Sequence, residues 1–208
     1  MNRILQSLVF FSFLLLVANC QPNDQFSICG NLPDSSYDGE YIYLVPMENA
    51  TKDKVDSVQI KNGTFCFSGT IKTPEVFILR TKHLLRFKLQ ELLIVKEAGA
   101  INVKIGQNSS ATGTALNDSL QLWKEQKMMS DSLLFALRKQ YRALNDSLLQ
   151  TRIKLKADSL NNQISNFNYN FVRNNMENAV GKMVYQLKKN SFTAEQKEKL
   201  GTIEKSNP

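Results

Sequence analysis

Three cysteines and a single histidine are the side chains of this 208-residue chain best suited to nucleophilic, redox or metal chemistry, and their placement excludes most of it. Cys20, Cys29 and Cys66 form no Cys-x-x-Cys pair, the spacing in which a second thiol stands ready to resolve the first. A zinc site needs several Cys and His ligands gathered together, and His83, in Thr81-Lys-His-Leu-Leu85, has no such company. It reads as a surface strand or loop residue. No serine sits in a nucleophile elbow, and no glycine-rich stretch is built to cradle a phosphate. Asp and Glu are scattered evenly, which gives no reason to favour paired catalytic carboxylates. The expectation is a protein that is not an enzyme and that takes no metal and no cofactor.

Cys20 has a different chemistry. Arg3 is the only charge before it, and an apolar run extends from Leu8 to Ala18. A positive start, a short apolar run and a small-residue cleavage site make an export signal, and the run is too short for a comfortable membrane span of about 20 residues. Val17-Ala18-Asn19-Cys20 resembles the lipobox of a bacterial lipoprotein, where the cysteine thiol takes a diacylglycerol through a thioether. Asn19 departs from the Gly, Ala or Ser usual before that cysteine. The alternative is an ordinary secretory peptide cleaved nearby. The lipoprotein reading makes residues 1–19 a signal peptide and 20–25 a lipidated tether. It places the protein in the cell envelope, on the periplasmic or surface face of the outer membrane, held to the membrane by lipid at Cys20.

With Cys20 so used, Cys29 and Cys66 remain, in an oxidising compartment. Each lies in a strand-like run, Phe26-Ser-Ile-Cys29-Gly30 and Phe65-Cys66-Phe67. Neighbouring strands would allow a disulfide between them. Two small, separate, buried residues is the other reading, and sequence does not choose between them.

The elements that must position these residues change character near Gly113. Pro22, Pro33, Pro46 and Pro74 all precede it, whereas Thr114 to Val180 contains neither Gly nor Pro. Turn-forming residues therefore punctuate the first part only. Residues 26–113 read as a β-domain. Strand-like runs are Tyr41–Val45, Val55–Ile60, Val76–Leu79, Leu92–Val95 and Ile101–Ile105. Asn62-Gly63 between alternating runs predicts a β-hairpin, and Glu97-Ala-Gly99 predicts another turn. Residues 114–208 read as helical. Leu116, Leu120 and Trp123 start an apolar stripe that Leu134, Leu137, Tyr141, Leu144 and Leu148 continue, and that Ile153, Ala157, Leu160, Ile164, Phe167 and Phe171 resume after a shift. A break is expected near Met129-Ser130-Asp131, where Ser or Asp can cap a new helix. A short helix over about 178–189 and a final one behind the Thr193/Gln196 capping box complete the region. The fold class is α+β: an antiparallel β-sandwich-like domain, then a long helix or helical hairpin.

Charge divides at the same place. Residues 20–113 balance ten Lys/Arg against ten Asp/Glu, whereas 114–208 carry fifteen against nine, a net of +6. A basic helical region invites nucleic acid as a partner. Arg138, Lys139, Arg142, Arg152, Lys154 and Lys156 lack an accompanying aromatic stacking surface, so no nucleic acid is expected. A solvated face is the default, and attraction to anionic membrane or glycan surfaces is the functional reading.

Phe26-Ser-Ile-Cys-Gly30, Tyr41-Ile-Tyr-Leu44, Val55-Asp-Ser-Val58 and Asn62-Gly-Thr-Phe-Cys-Phe-Ser-Gly69 together resemble a β-domain of unknown function common in Bacteroidetes lipoproteins. There it often precedes a thioredoxin-like domain. Glu91 to Gly99 is similar to its later strands. Gly113-Thr-Ala-Leu-Asn-Asp118 and Phe171 to Gly181 are similar to the helical linker that follows. The resemblance implies a cell-envelope module, here without the Cys-x-x-Cys domain of the longer relatives, so no redox site carries over.

Asp-Ser-aliphatic triplets recur at Ser57, Ser119, Ser132, Ser147 and Ser159, where fewer than about one is expected from average usage. The triplet is similar to the O-glycosylation acceptor of exported Bacteroidetes proteins, with the glycan on the Ser. A repetitive amphipathic helix accounts for it equally. Two functions remain. One is a lipid-anchored binding or structural module, with the helical region pairing with a protein partner or with itself. The other is an accessory that serves a thiol–disulfide partner in trans through Cys29 and Cys66, or a truncated thioredoxin-family lipoprotein.

Overall fold

The computed structural model describes residues 24–82, 85 and 88–206. The export signal, Cys20 and His83 lie outside the described residues.

Strands β1 (Gln25–Asn31), β2 (Tyr41–Pro46), β3 (Asp56–Gln59), β4 (Thr64–Thr70), β5 (Glu75–Arg80), β6 (Leu92–Lys96), β7 (Gly99–Lys104) and β8 (Ser110–Thr112) form two four-stranded sheets. The orders are β4-β1-β7-β8 and β3-β2-β5-β6. Alternation decides which side chains point inward. Phe26, Ile28, Phe65, Phe67, Ile101 and Val103 of the first sheet meet Ile42, Leu44, Phe77, Leu79, Leu92 and Ile94 of the second in one buried core. The pairing is antiparallel except between β1 and β7, which run parallel, Phe26 opposite Gly99 through Asn31 opposite Lys104. The two strands are far apart in sequence and both end at the same side of the sandwich, so no hairpin dictates their direction. The domain is otherwise the antiparallel sandwich that the sequence predicts.

The Asn62-Gly63 turn is present, with φ of 52° and 66°, the left-handed region that Asn and Gly tolerate best. Asp38 fixes it: its carboxylate accepts from the Asn62 and Gly63 N–H groups at 2.9 and 2.8 Å. The expected hairpin is corrected, however. After a single Lys61–Thr64 bridge the flanking strands part, β3 into one sheet and β4 into the other. The turn is a corner of the sandwich, because both flanking runs bury an inward face and only opposite sheets let them share one core. The turn at Glu97–Gly99 likewise carries the chain from β6 to β7, between sheets.

Helices α1 (Ala115–Ala143), α2 (Ser147–Asn175), α3 (Ala179–Lys188) and α4 (Ala194–Ser206) follow. The break expected near Ser130 does not occur. Ser130 is buried within α1, and nothing there supplies the Gly or Pro that would stop a helix. The chain reverses instead at Leu144–Asp146, where Asp146 caps α2 by accepting from the Leu148 and Leu149 N–H groups at 2.8 and 3.1 Å. Thr193 and Gln196 make a reciprocal capping box at the start of α4.

The proximal parts of α1 and α2, with α3 and α4, cover the outer face of the second sheet. Val95, Trp123, Phe171, Val172, Val180, Val184 and Leu200 form a second core there, against which Val76 and Leu93 pack. The layers are therefore sheet, sheet, helices. Beyond Ser130 the α1–α2 hairpin leaves this body. No side chain from Asp131 to Phe167 is buried, and Phe135 and Leu148 are 68% and 75% exposed. Thirteen residues of α1 (131–143) project by about 20 Å at 1.5 Å per residue. Among the described residues no helix is long and apolar enough to cross a membrane.

Candidate functional site

Strand β6 is an edge of its sheet, and an open edge presents unpaired N–H and C=O groups. Helix α1 supplies their partners. The Asn117 side chain acts as a surrogate peptide: its Oδ1 accepts from Val95 N at 3.0 Å and its Nδ2 donates to Val95 O at 2.7 Å. Two residues back along the same edge, Lys124 Nζ donates to Leu93 O at 3.2 Å. Two residues forward, Glu97 Oε1 accepts from the Leu116 and Asn117 N–H groups at 3.0 and 3.1 Å and from Thr114 Oγ1 at 2.6 Å. Thr114 makes no side-chain cap of its own; a carboxylate from the sheet caps the helix in its place, where negative charge also suits the helix dipole. Every second residue from Leu93 thus meets α1 in turn, Leu93 at Lys124, Val95 at Asn117 and Glu97 at the helix start. Farther along, the indole N–H of Trp123 donates to Asn168 Oδ1 at 3.0 Å, closing the α1–α2 contact over the buried layer.

Past this seam α1 leans away from the sandwich and leaves a groove of about 1070 Å³. One wall is Gln90 to Leu93 with Asn108–Ser110; the other is the α1 flank of Lys124, Lys127, Met128, Asp131, Phe135 and Arg138. Its apolar surface comes from Leu93, Met128, Leu134 and Phe135, and its charges carry both signs. Lys127 pairs with Asp131 one turn on, and Gln121 donates to Glu125 at 2.8 Å. Burial pushes the Lys124 ammonium down to about 8. The arrangement suits an extended or helical segment with mixed polarity, held by apolar contact and hydrogen bonds. Among the described residues no three His, Cys, Asp or Glu side chains gather to hold a metal ion.

Cys29 and Cys66 stand opposite each other in the β1–β4 ladder with Cα atoms 4.1 Å apart, and their sulfurs are joined in a disulfide. Both residues are exposed on the outer face of the first sheet, away from the helices. Of the Asp-Ser-aliphatic serines, Ser57, Ser132, Ser147 and Ser159 are exposed. Ser119 is half-buried at the α1–α2 contact, its hydroxyl donating to Asn175 Oδ1 at 3.5 Å. The structure does not gather these serines: Ser57 lies in β3 and the other four are spread along the hairpin.

Glu97, Asn117 and Lys124 are the residues that pattern reading passes over. The signal is present in retrospect. Asn117, Leu120 and Lys124 fall at i, i+3 and i+7, so two polar residues occupy the stripe reserved for apolar ones. A polar residue on a core-facing stripe needs a buried partner, and an edge strand is one.

Residues 26–120 match the family model of a domain of unknown function, DUF4369. The matched segment takes in both sheets and the first turns of α1, including Asn117, and ends before Lys124 and the groove flank. No curated protein and no solved structure matches the chain.

Proposed function

We propose that this chain, whose residues 26–120 carry that domain, is a lipid-anchored binding module of the cell envelope. The groove between α1 and the β6–β8 side of the sandwich would receive a protein partner. The observation that carries this reading is the projecting hairpin. A helix pair that buries no side chain from Asp131 to Phe167 gains little stability for itself, yet it keeps Met128, Phe135 and Leu155 on view. Exposed apolar surface of this kind marks contact sites. Two of the groove's cations are engaged with neighbours, Lys124 with Leu93 O and Lys127 with Asp131, which suits holding a ligand rather than reacting with it.

Lipid on Cys20 would tether the body closely. Gln25 is five residue steps beyond it, and at about 3.4 Å each these reach about 17 Å. The exposed Ser57, Ser132, Ser147 and Ser159 would carry glycans, a bulky surface modification, while Ser119 would stay bare at the helix contact. Intact-mass analysis of protein from its native host would then show the lipid plus added hexose-scale masses mapped to those serines. A mass equal to chain plus lipid alone removes the glycan, and a mass without lipid removes the anchor.

A photo-crosslinking residue at Phe135 tests the binding reading in the native host. The expected outcome is one discrete adduct, lost when Met128→Glu is added to the groove wall. A ladder of unrelated products, or an adduct that Met128→Glu leaves unchanged, would count against it.

A further inference from the structure

We propose that the Cys29–Cys66 bond is a reversible redox site, opened and closed in the folded protein by exchange with a dithiol protein. The inference stands apart from the groove, because the layer order puts this bond on the side of the molecule farthest from the helices.

Exposed disulfides are the ones most open to thiol exchange. Here the strand alternation sends Ile28, Phe65 and Phe67 into the core and turns Cys29 and Cys66 to solvent. A hollow of about 580 Å³ lies over the pair, rimmed by Asn31, Gln59, Lys61, Thr64 and Asn102. An attacking sulfur therefore reaches the bond without moving any core side chain. The electrostatics suit the exchange. Lys61 stands on the rim, and no carboxylate is among the described residues that line the hollow. A nearby cation stabilises the thiolate that must leave when the bond breaks.

The ladder also holds the two positions in place without the bond. β1 and β4 pair at seven consecutive positions, from Gln25–Thr70 to Asn31–Thr64. After reduction the two thiols remain opposite one another, and closure is intramolecular between prepositioned groups. β4 is the edge strand of its sheet, so a partner can approach from the side as well as from above.

The chemistry balances. A thiolate of the partner attacks one sulfur of the pair. A mixed disulfide forms, and the other cysteine leaves as a thiolate that takes up a proton. The partner's second thiol then attacks the mixed disulfide, releasing the remaining cysteine. The partner's dithiol becomes a disulfide, having given two electrons and two protons, and Cys29 and Cys66 become thiols. The reverse sequence re-forms the bond.

The test uses the full chain in native buffer with a thioredoxin-class dithiol protein held reduced, and dithiothreitol as the small-molecule control. Alkylation and peptide mapping read Cys29 and Cys66, while far-UV circular dichroism reads the strands. Both thiols are expected to appear together, with the strand signal kept, at a rate that low urea leaves unchanged within about twofold. Oxidised glutathione should then restore the bond. Reduction that occurs only as urea unfolds the protein, or that abolishes the strand signal, would overturn the proposal and leave a structural staple. As a second arm, a partner whose second cysteine is replaced by Ser cannot resolve the mixed disulfide, and peptide mapping should find that partner joined to Cys29 or Cys66 of the folded, oxidised chain. A folded chain that yields no such adduct would also overturn it. Crosslinking in the groove is expected to be the same in oxidised and reduced protein, so failure of either reading is seen separately.

Discussion

The sandwich and the distal hairpin draw on the same aliphatic and aromatic residues and use them in opposite ways. In the sandwich each strand hands alternate side chains to a shared interior, where Ile28, Ile42, Leu79 and Ile94 are fully buried. In the hairpin two helices have only each other, and even the facing residues Leu134, Leu137, Ile153 and Leu160 are only partly buried. Two sheets enclose a volume; two helices share only a line of contact. Stability and display are thereby separated in one chain: the sandwich holds the fold, and the hairpin presents surface.

The comparison can be broken most forcefully at Phe67. Truncating it to Ala removes a ring from the sandwich core and is expected to cost about 3–5 kcal/mol, read as a shift of the urea midpoint. A cost near 1 kcal/mol would mean that the sandwich is as loosely packed as the hairpin. The seam between the two regions comes next. Glu97→Ala leaves the Leu116 and Asn117 N–H groups and the Thr114 hydroxyl without their acceptor, at about 2–3 kcal/mol for lost bonds to a charged group. Amide exchange should speed at the start of α1 before it does in β1 or β7. Equal acceleration everywhere would show that the seam and the sandwich unfold as one.

Lys124 sharpens the same seam through pH. Its ammonium is lowered to about 8 by burial, whereas the unfolded chain returns it to its usual 10.5. Below 8 it is charged in both states and the folded state bears the desolvation. Between 8 and 10.5 the folded protein releases the proton first, so this group's contribution to stability rises with pH across that window. Lys124→Met should flatten the rise by about 1–3 kcal/mol; a profile unchanged by the substitution would place Lys124 in solvent. The smallest effect belongs to the hairpin itself. Leu155→Ala, at a side chain 63% exposed, is expected to cost less than about 1 kcal/mol, and limited trypsinolysis should cut first among Arg138, Lys139, Arg142 and Arg152. A large loss at Leu155 would point to a covered hairpin.

Much of the sandwich was legible from residues alone. Alternation marked the strands, because an inward face must be apolar, and the loss of Gly and Pro after Gly113 marked the onset of helices. Asn62-Gly63 announced a turn, yet the pairing beyond it was hidden. Two residues specify a reversal, but which sheet each arm joins depends on distant strands. The helix break was misplaced for a related reason. Ser130 has the chemistry of a cap, and only its burial in the finished α1 shows that it is not one, while Asp146 caps in fact. Apposition of Cys29 with Cys66 was equally beyond local pattern, since it is set by a register between strands far apart in sequence. The seam residues were hardest to see, because an Asn that imitates a peptide group looks like any polar residue near a helix start.

That imitation bears on how the protein is made. Until residues 114–124 exist, the β6 edge has no covering, and Val76, Leu93 and Val95 look outward onto no helix. A nascent or shortened chain ending at Gly113 is therefore a sheet with one side unfinished, inclined to add a strand from a neighbour. A boundary beyond Lys124 closes that edge, while Val76, Leu93 and Val95 stay bare until the helices carrying Phe171, Val180 and Val184 are present.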